Sequence, residues 1–324
     1  MRVPDSVLEW LLEPNDPSMR FRTMTELLDT QFTAQERTRE YEQIYNSPSV
    51  NKIIEKMHPD GYWLRKKSGS REWIGAGVEY MSASTTHYCL AYLSELGLTK
   101  EHPIIKKAAD RYLSLQAPDG DWFWHLSCLQ GYNIKTFLRF GYREDERLKK
   151  SVNLLIESSR FDGGYLCDMH EKRPGLKRPK SCVRGSTKAL EAFAELGKVY
   201  WNVPACQNLC DYFLSRNGIF TMRDKTRPVN NDVNCLFFPF IYYTGLLQIL
   251  YSLSKMGYGN DTRLYAAWEI LEKKKFENGR FPLERTPAQS PWKIGEVGKE
   301  NKWITFYAYL AMKNRDENYL ATNH

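Results

Sequence analysis

Five times along this chain a helical stretch runs into Asp or Asn, then Gly, then any residue, then an aromatic. The copies are Asp60-Gly61-Tyr62-Trp63, Asp119-Gly120-Asp121-Trp122, Asp162-Gly163-Gly164-Tyr165, Asn217-Gly218-Ile219-Phe220 and Asn278-Gly279-Arg280-Phe281. Their first glycines lie 59, 43, 55 and 61 residues apart. Glycine accepts the positive φ that ends a helix. An aromatic two residues later can fold back between neighbouring helices. A supersecondary unit recurring at this spacing signals a repeat architecture.

Between the turns two kinds of helix alternate. Residues 102–116 and 145–158 are amphipathic, with Ile104, Ile105, Ala108, Tyr112 and Leu113 on one face of the first. The stretches 85–97, 128–141, 184–197, 238–257 and 303–312 are more apolar around their circumference. A helix apolar all round is buried, and one with an apolar stripe is exposed on one side. The expected fold is therefore all-α: an α/α toroid of inner and outer rings over residues 46–320, with about five to six helical hairpins. Residues 1–45 read as a small N-terminal helical cap. In that cap Val7 to Leu12 is a short apolar helix, and Asp16-Pro17 starts another by capping free amides.

Lys107-Ala108, Tyr112-Leu113, Gln116 and Gly120-Asp121-Trp122 together resemble a complete copy of the repeat of squalene cyclases and protein prenyltransferases. Four weaker copies cover most of residues 46–320. The resemblance implies inner helices whose N-terminal ends surround a central cavity holding the catalytic residues. Uncharacterised members of this superfamily are similar in the segments Cys128-Leu129-Gln130-Gly131 and Cys167 to Cys182. The departures concern activity. The Asp-x-Asp-Asp acid of class II terpene cyclases is absent, and Asp119-Gly120-Asp121 belongs to a turn. The Asp-x-Cys zinc ligands of prenyltransferases find their nearest match in Asp232-Val233-Asn234-Cys235, one residue too wide. His87-Tyr88-Cys89 resembles the family's His-bearing helix start but comes earlier in the chain.

Charge and cysteine usage narrow the partners. With 26% charged residues and a net charge of +7, the chain is that of a globular protein with Lys and Arg interleaved among Asp and Glu. No stretch has the eighteen apolar residues of a membrane span, which leaves peripheral membrane contact open. The start lacks the pattern of a secretory signal, so a cytoplasmic location is expected. Lys172, Arg173, Lys177, Arg178, Lys180 and Arg184 make one basic loop. It is either a solvated loop or a place for a diphosphate; no nucleic-acid motif accompanies it. Seven cysteines without a secretory signal point to reduced thiols or metal ligands.

Cys128, Cys167, His170 and Cys182 form the best chemical candidate. Three fall in one loop, and the fourth starts the preceding inner helix. Three thiolates and an imidazole suit tetrahedral zinc. The alternative is a buried Cys128 with the others free in a loop. Cys206 and Cys210 share a helix face as small hydrophobes. Asp232 and His87 are candidate acid–base groups; for Asp232 a cap or loop role is the plainer reading. Tyr88, Trp124, Tyr132, Tyr242 and Trp303 could line a cavity for an apolar chain, with Arg184 offered to a diphosphate. Core packing would explain the same aromatics. The sequence thus supports an enzyme of the terpene-cyclase or prenyltransferase kind acting on an isoprenoid, with zinc at the mouth. Its alternative is a non-catalytic, zinc-stapled binding module for a protein or lipid.

Overall fold

The computed structural model describes residues 3–78, 84–171, 179–241, 243–287 and 290–322. Tyr242 and the basic residues Lys172, Arg173, Lys177 and Arg178 lie outside them. In chain order the helices are α1 (Asp5–Leu11), α2 (Pro17–Arg22), α3 (Ala34–Tyr45), α4 (Pro48–Ile54), α5 (Thr86–Glu95), α6 (Pro103–Leu113), α7 (Ser127–Arg139) and α8 (Glu146–Glu157). They continue with α9 (Asp168–Glu171), α10 (Val183–Leu196), α11 (Lys198–Trp201), α12 (Pro204–Leu214), α13 (Leu246–Lys255), α14 (Tyr265–Glu272) and α15 (Lys302–Thr322). Among the described residues the strands are two-residue pieces: β1 (Met57–His58) with β2 (Tyr62–Trp63), and β3 (Arg65–Lys66) with β4 (Trp73–Ile74), both antiparallel.

The five expected turns are present. Gly61, Gly120, Gly163, Gly218 and Gly279 have φ of 84°, 95°, 79°, 82° and 83°. At Gly163 a Cβ would also fall 2.4 Å from the Asn208 carbonyl oxygen, so two reasons exclude a side chain there. The aromatic that follows is buried in every copy, with Trp63, Trp122, Tyr165, Phe220 and Phe281 each 5% exposed or less. Three of these residues are also held by a polar clamp. The backbone N–H of Trp63 donates to Thr86 Oγ1 (3.0 Å), that of Tyr165 to Ser186 Oγ (2.9 Å) and that of Phe281 to Thr305 Oγ1 (2.9 Å). Each hydroxyl stands in the first turns of the next buried helix, so turn and helix start are fixed together. The Asn217 copy differs: Gly218 N–H donates five residues back, to Phe213, and Asn217 itself has φ of 46°.

The chain divides into two compact units, residues 52–212 with 288–291, and residues 1–51 with 213–287 and 292–324. Residues 1–45, expected as a cap, fall in the second of these units, where Arg22 of α2 packs with Trp303, Phe306 and Tyr307 of α15.

In the 52–212 unit α5 is buried over its whole length, α7 over its first eleven residues and α10 over most of its length. α6 and α8 bury one face only. α7 packs on both α5 and α10. At Gly131 of α7 an added Cβ would lie 2.4 Å from the Lys188 carbonyl carbon, so the absence of a side chain sets how closely α10 approaches. Charge ties these buried helices together. Lys135 Nζ lies 2.8 Å from Glu95 and 2.9 Å from Glu191, and Lys188 Nζ 2.9 Å from Glu191. Arg139 joins Glu95 (2.7 Å) to Glu195 (2.8 Å). Burial pushes the Lys188 ammonium below its ordinary pKa, with Glu191 opposing it.

In the other unit α13 and α15 pack together and α14 buries one face. The helix expected over 238–257 begins instead at Leu246. Pro239 has no N–H to give to a helix and Gly245 is extended, with φ −142° and ψ 163°. α15 runs on past the expected end at 312, to Thr322.

Candidate functional site

The second and third turns of the repeat, with the segments that follow them, frame a cavity of about 130 Å³ in the 52–212 unit. Asp121, His125, Gln130, Arg160, Asp168 and Glu171 line it, together with Ser127, Ser158, Tyr165 and the apolar Leu154, Leu155 and Leu166. Asp121 is the x residue of the Asp119 turn, and it is buried. One of its carboxylate oxygens accepts the His125 N–H at 2.9 Å. That bond closes a tight loop in which Trp124 and His125 have φ of 49° and 47°. Two successive non-glycine residues in the left-handed region are uncommon, and such strain persists where surrounding structure holds it. The loop presents the His125 imidazole 3.5 Å from Asp119 and leaves Trp124 69% exposed on the neighbouring surface.

Gln130, Arg160 and, through its hydroxyl, Tyr165 are lining residues with a buried polar atom that lacks a partner among the described residues. Gln130 of α7 is 5% exposed, and its Nε2 donates to the carbonyls of Gly120 (3.1 Å) and Ser151 (3.0 Å). Its Oε1 is buried and has no partner among the described residues. Arg160 pairs with Glu171 and donates through Nη2 to the Pro179 carbonyl at 2.8 Å. Its Nε is buried and likewise unpartnered among the described residues. Buried polar groups are normally satisfied, so such atoms gathered on one cavity call for a ligand or water.

The thiols stand beside this cavity. Ser127, another lining residue, has its Oγ 3.5 Å from Cys167 Sγ. The Cys128 thiol hydrogen-bonds the Cys167 sulfur, and that bond, with Ser127 adding to it against the effect of burial, lowers the Cys167 pKa to about 6. Two of the four expected metal ligands therefore meet. His170 is exposed on α9 and Cys182 is the half-buried N-cap of α10. Among the described residues no group of three or more His, Cys, Asp or Glu side chains is placed to hold a metal. Two thiols in contact are fewer than the four ligands of a tetrahedral zinc site.

His87, Tyr88 and Tyr132 come together as well, but inside packed protein. The His87 ring is 4.5 Å from Tyr88, 5.9 Å from Tyr132 and 6.5 Å from Tyr112, and burial lowers its pKa to about 3. The three residues are 1%, 5% and 6% exposed. Trp303 stacks on Phe238 at 4.6 Å and faces the Arg22 guanidinium at 5.7 Å, so its rings are engaged by the protein itself. Asp232 is half-exposed and paired with Arg285, whose guanidinium lies over Tyr243 at 4.3 Å. Arg184 sits half-buried in the first turn of α10.

Sequence reasoning left out Asp121, His125, Gln130, Arg160, Asp168 and Glu171 as site residues. A signal existed for two of them. Asp121 is the one acid at the x position of the five turns, where the others are Tyr62, Gly164, Ile219 and Arg280. Gln130 is a polar residue in the first turn of a helix otherwise marked as buried.

No protein-family model and no curated protein sequence matches the chain. Solved structures do resemble it. A glycosyl hydrolase of family 88 from Bacteroides vulgatus superposes with a TM-score of 0.56, over 97% of this chain and 98% of its own, at 13% identity. A polysaccharide lyase superposes with 0.53, over 98% of each chain, at 14% identity. The type II terpene cyclase MstE from Scytonema reaches 0.30, over 83% of this chain and 97% of its own, at 12% identity, which is too low to carry an argument. The chain is thus mostly helical and similar in fold to α/α-toroid proteins. Among the described residues no helix is long and apolar enough to cross a membrane.

Proposed function

We propose that this protein is a carbohydrate-active enzyme, one that cleaves a glycosidic linkage. The cavity lined by Asp121, His125, Gln130, Arg160, Asp168 and Glu171 carries that reading. Several carboxyl groups around one small cavity are the equipment for proton transfer to and from a glycosidic oxygen. Asp121 and Asp168 take the acid and base roles in this reading. The exposed Trp124 indole offers an apolar face of the kind on which sugar rings stack. The two solved structures with the higher TM-scores support the reading, since both are named for acting on glycosides or polysaccharides. In the 52–212 unit the buried α5, α7 and α10 would form inner-ring positions of a toroid, and α6 and α8 outer ones.

An isoprenoid substrate has less support. Of the aromatics expected to line an apolar cavity, Tyr88, Tyr132 and Trp303 are packed against other rings, and the lining just described places carboxyl groups beside its leucines. The decisive experiment is a turnover screen with neutral and acidic oligosaccharides, reading reducing ends and unsaturated products. Asp121→Asn and Asp168→Asn should each lower turnover by about a hundredfold or more with the helical circular dichroism unchanged. Failure to bind or cleave any oligosaccharide, together with binding of farnesyl or geranylgeranyl diphosphate, would restore the isoprenoid enzyme.

The zinc-stapled binding module is the second reading, favoured by the Cys128–Cys167 contact. It requires His170 and Cys182 to close on that pair. About one zinc per chain in protein purified without chelators, lost in Cys167→Ser, would support it; metal-free wild-type protein would remove it.

A further inference from the structure

The first turn of α7 closes on a sulfur from a distant part of the chain. Its N-cap residue, Leu126, offers no side chain to the free amides. Cys167 Sγ stands there instead. It accepts from the Cys128 thiol, from the Ser127 hydroxyl at 3.5 Å, and from the backbone N–H groups of Cys128 and Ser127. Four donors on one sulfur at a helix N-terminus make it the better nucleophile of the two. Cys128, the thiol in contact with it, is also free. A nucleophilic cysteine touching a second thiol is the arrangement in which oxidation ends as a disulfide.

The cavity gives a small oxidant a way to this pair. Ser127 precedes Cys128, and Leu166 and Asp168 flank Cys167; all three line the space of about 130 Å³. Cys206 and Cys210 provide the contrast. They also touch, but both belong to α12 and each is 1% exposed. Their mutual hydrogen bond and burial push the Cys210 thiol up, away from reaction.

We propose that Cys128 and Cys167 form a site of reversible oxidation, in which Cys167 attacks hydrogen peroxide and Cys128 closes the disulfide. Cys167 Sγ bonds to one peroxide oxygen, the O–O bond breaks and the other oxygen leaves as water, giving a sulfenic acid. Cys128 Sγ then attacks that sulfur; the S–S bond forms, the S–O bond breaks and a second water leaves. Two thiols are oxidised to one disulfide, and one peroxide is reduced to two waters. The bond ties the start of α7 to the segment carrying Leu166 and Asp168, two pieces of chain that line the cavity. This holds whatever the cavity binds.

The test uses the full chain, reduced, stripped of metal by a chelator and treated with a slight excess of hydrogen peroxide near neutral pH. Of seven free thiols two should be lost, with Cys128 and Cys167 in one linked peptide, and dithiothreitol should restore both. Cys167→Ser should slow thiol loss by about tenfold or more. Cys128→Ser should leave Cys167 as a sulfenic acid that dimedone traps, which decides the matter if Cys167→Ser does not fold. A disulfide from Cys167 to Cys182 overturns the assignment, as does one between Cys206 and Cys210 in place of this pair. So do seven thiols surviving the peroxide, or Cys128→Ser protein with no dimedone adduct at Cys167.

Discussion

The 52–212 unit and the unit built from residues 1–51, 213–287 and 292–324 both bury cations, and they do so in opposite ways. In the first, Lys135, Lys188 and Arg139 meet Glu95, Glu191 and Glu195 across α5, α7 and α10, with Lys135, Lys188, Glu95 and Glu191 almost fully buried. In the second, the Arg22 guanidinium lies 5.7, 4.9 and 5.0 Å from the ring centroids of Trp303, Phe306 and Tyr307. It donates to Tyr307 Oη at 3.0 Å and pairs with Glu26, whose side chain is one-third exposed. The partners decide what a lost cation does. A buried carboxylate left alone has no water to turn to, whereas Glu26 and aromatic rings do not need the charge. Networks of the first kind fix helix register at little net gain, and removing one member is severe.

The sharpest way to break this contrast is Lys135→Met. It should destabilise by roughly 3–5 kcal/mol in denaturant unfolding, because Glu95 and Glu191 each lose a buried counter-charge. Adding Glu95→Gln and Glu191→Gln should recover part of that loss. A single-mutant effect under about 1 kcal/mol would show that the network is hydrated.

Acid should act next most strongly, again through the 52–212 unit, which holds every histidine except His324. Burial lowers the His87 pKa from 6.5 to about 3, so in this range the unfolded chain binds the proton that the native state refuses. Stability from this group is complete above about pH 6.5 and is lost as pH falls towards 3. The slope of roughly 1.4 kcal/mol per pH unit removes about 2–3 kcal/mol by pH 4.5. His87→Phe should flatten that part of the stability profile, and an unchanged profile would show that His87 is not its source.

Arg22→Met tests the other half of the contrast. Its loss should amount to only about 1–2 kcal/mol, since Glu26 can hydrate and the Tyr307 hydroxyl loses one donor. An effect equal to that of Lys135→Met would erase the distinction between the units. The smallest effect has the opposite sign. Trp124→Gly relieves a positive φ at an exposed residue and should stabilise by up to about 1 kcal/mol. The same substitution should weaken any carbohydrate that stacks on the indole. Stabilisation without loss of binding would detach Trp124 from the site.

Local sequence determined the punctuation of this protein. Asp or Asn before Gly, with an aromatic two residues on, marks a left-handed turn after a helix and a buried ring in all five copies, because the turn depends on neighbours in the chain. The wide apolar girth of α5, α7 and α10 marked them as buried for the same reason. What sequence could not assign was the fate of groups whose partners are distant. Glu95, Lys135 and Glu191 read only as interleaved charge, yet they meet across three helices. Tyr88, Tyr132 and Trp303 read equally as cavity lining or core, and packing made them core. Asp121, Gln130, Arg160 and Asp168 are spread over nearly fifty residues and converge only because two successive turns face one cavity. Spacing in the chain carries the information for a turn or a helix stripe, whereas a site is set by which buried polar atoms the packed helices leave unsatisfied.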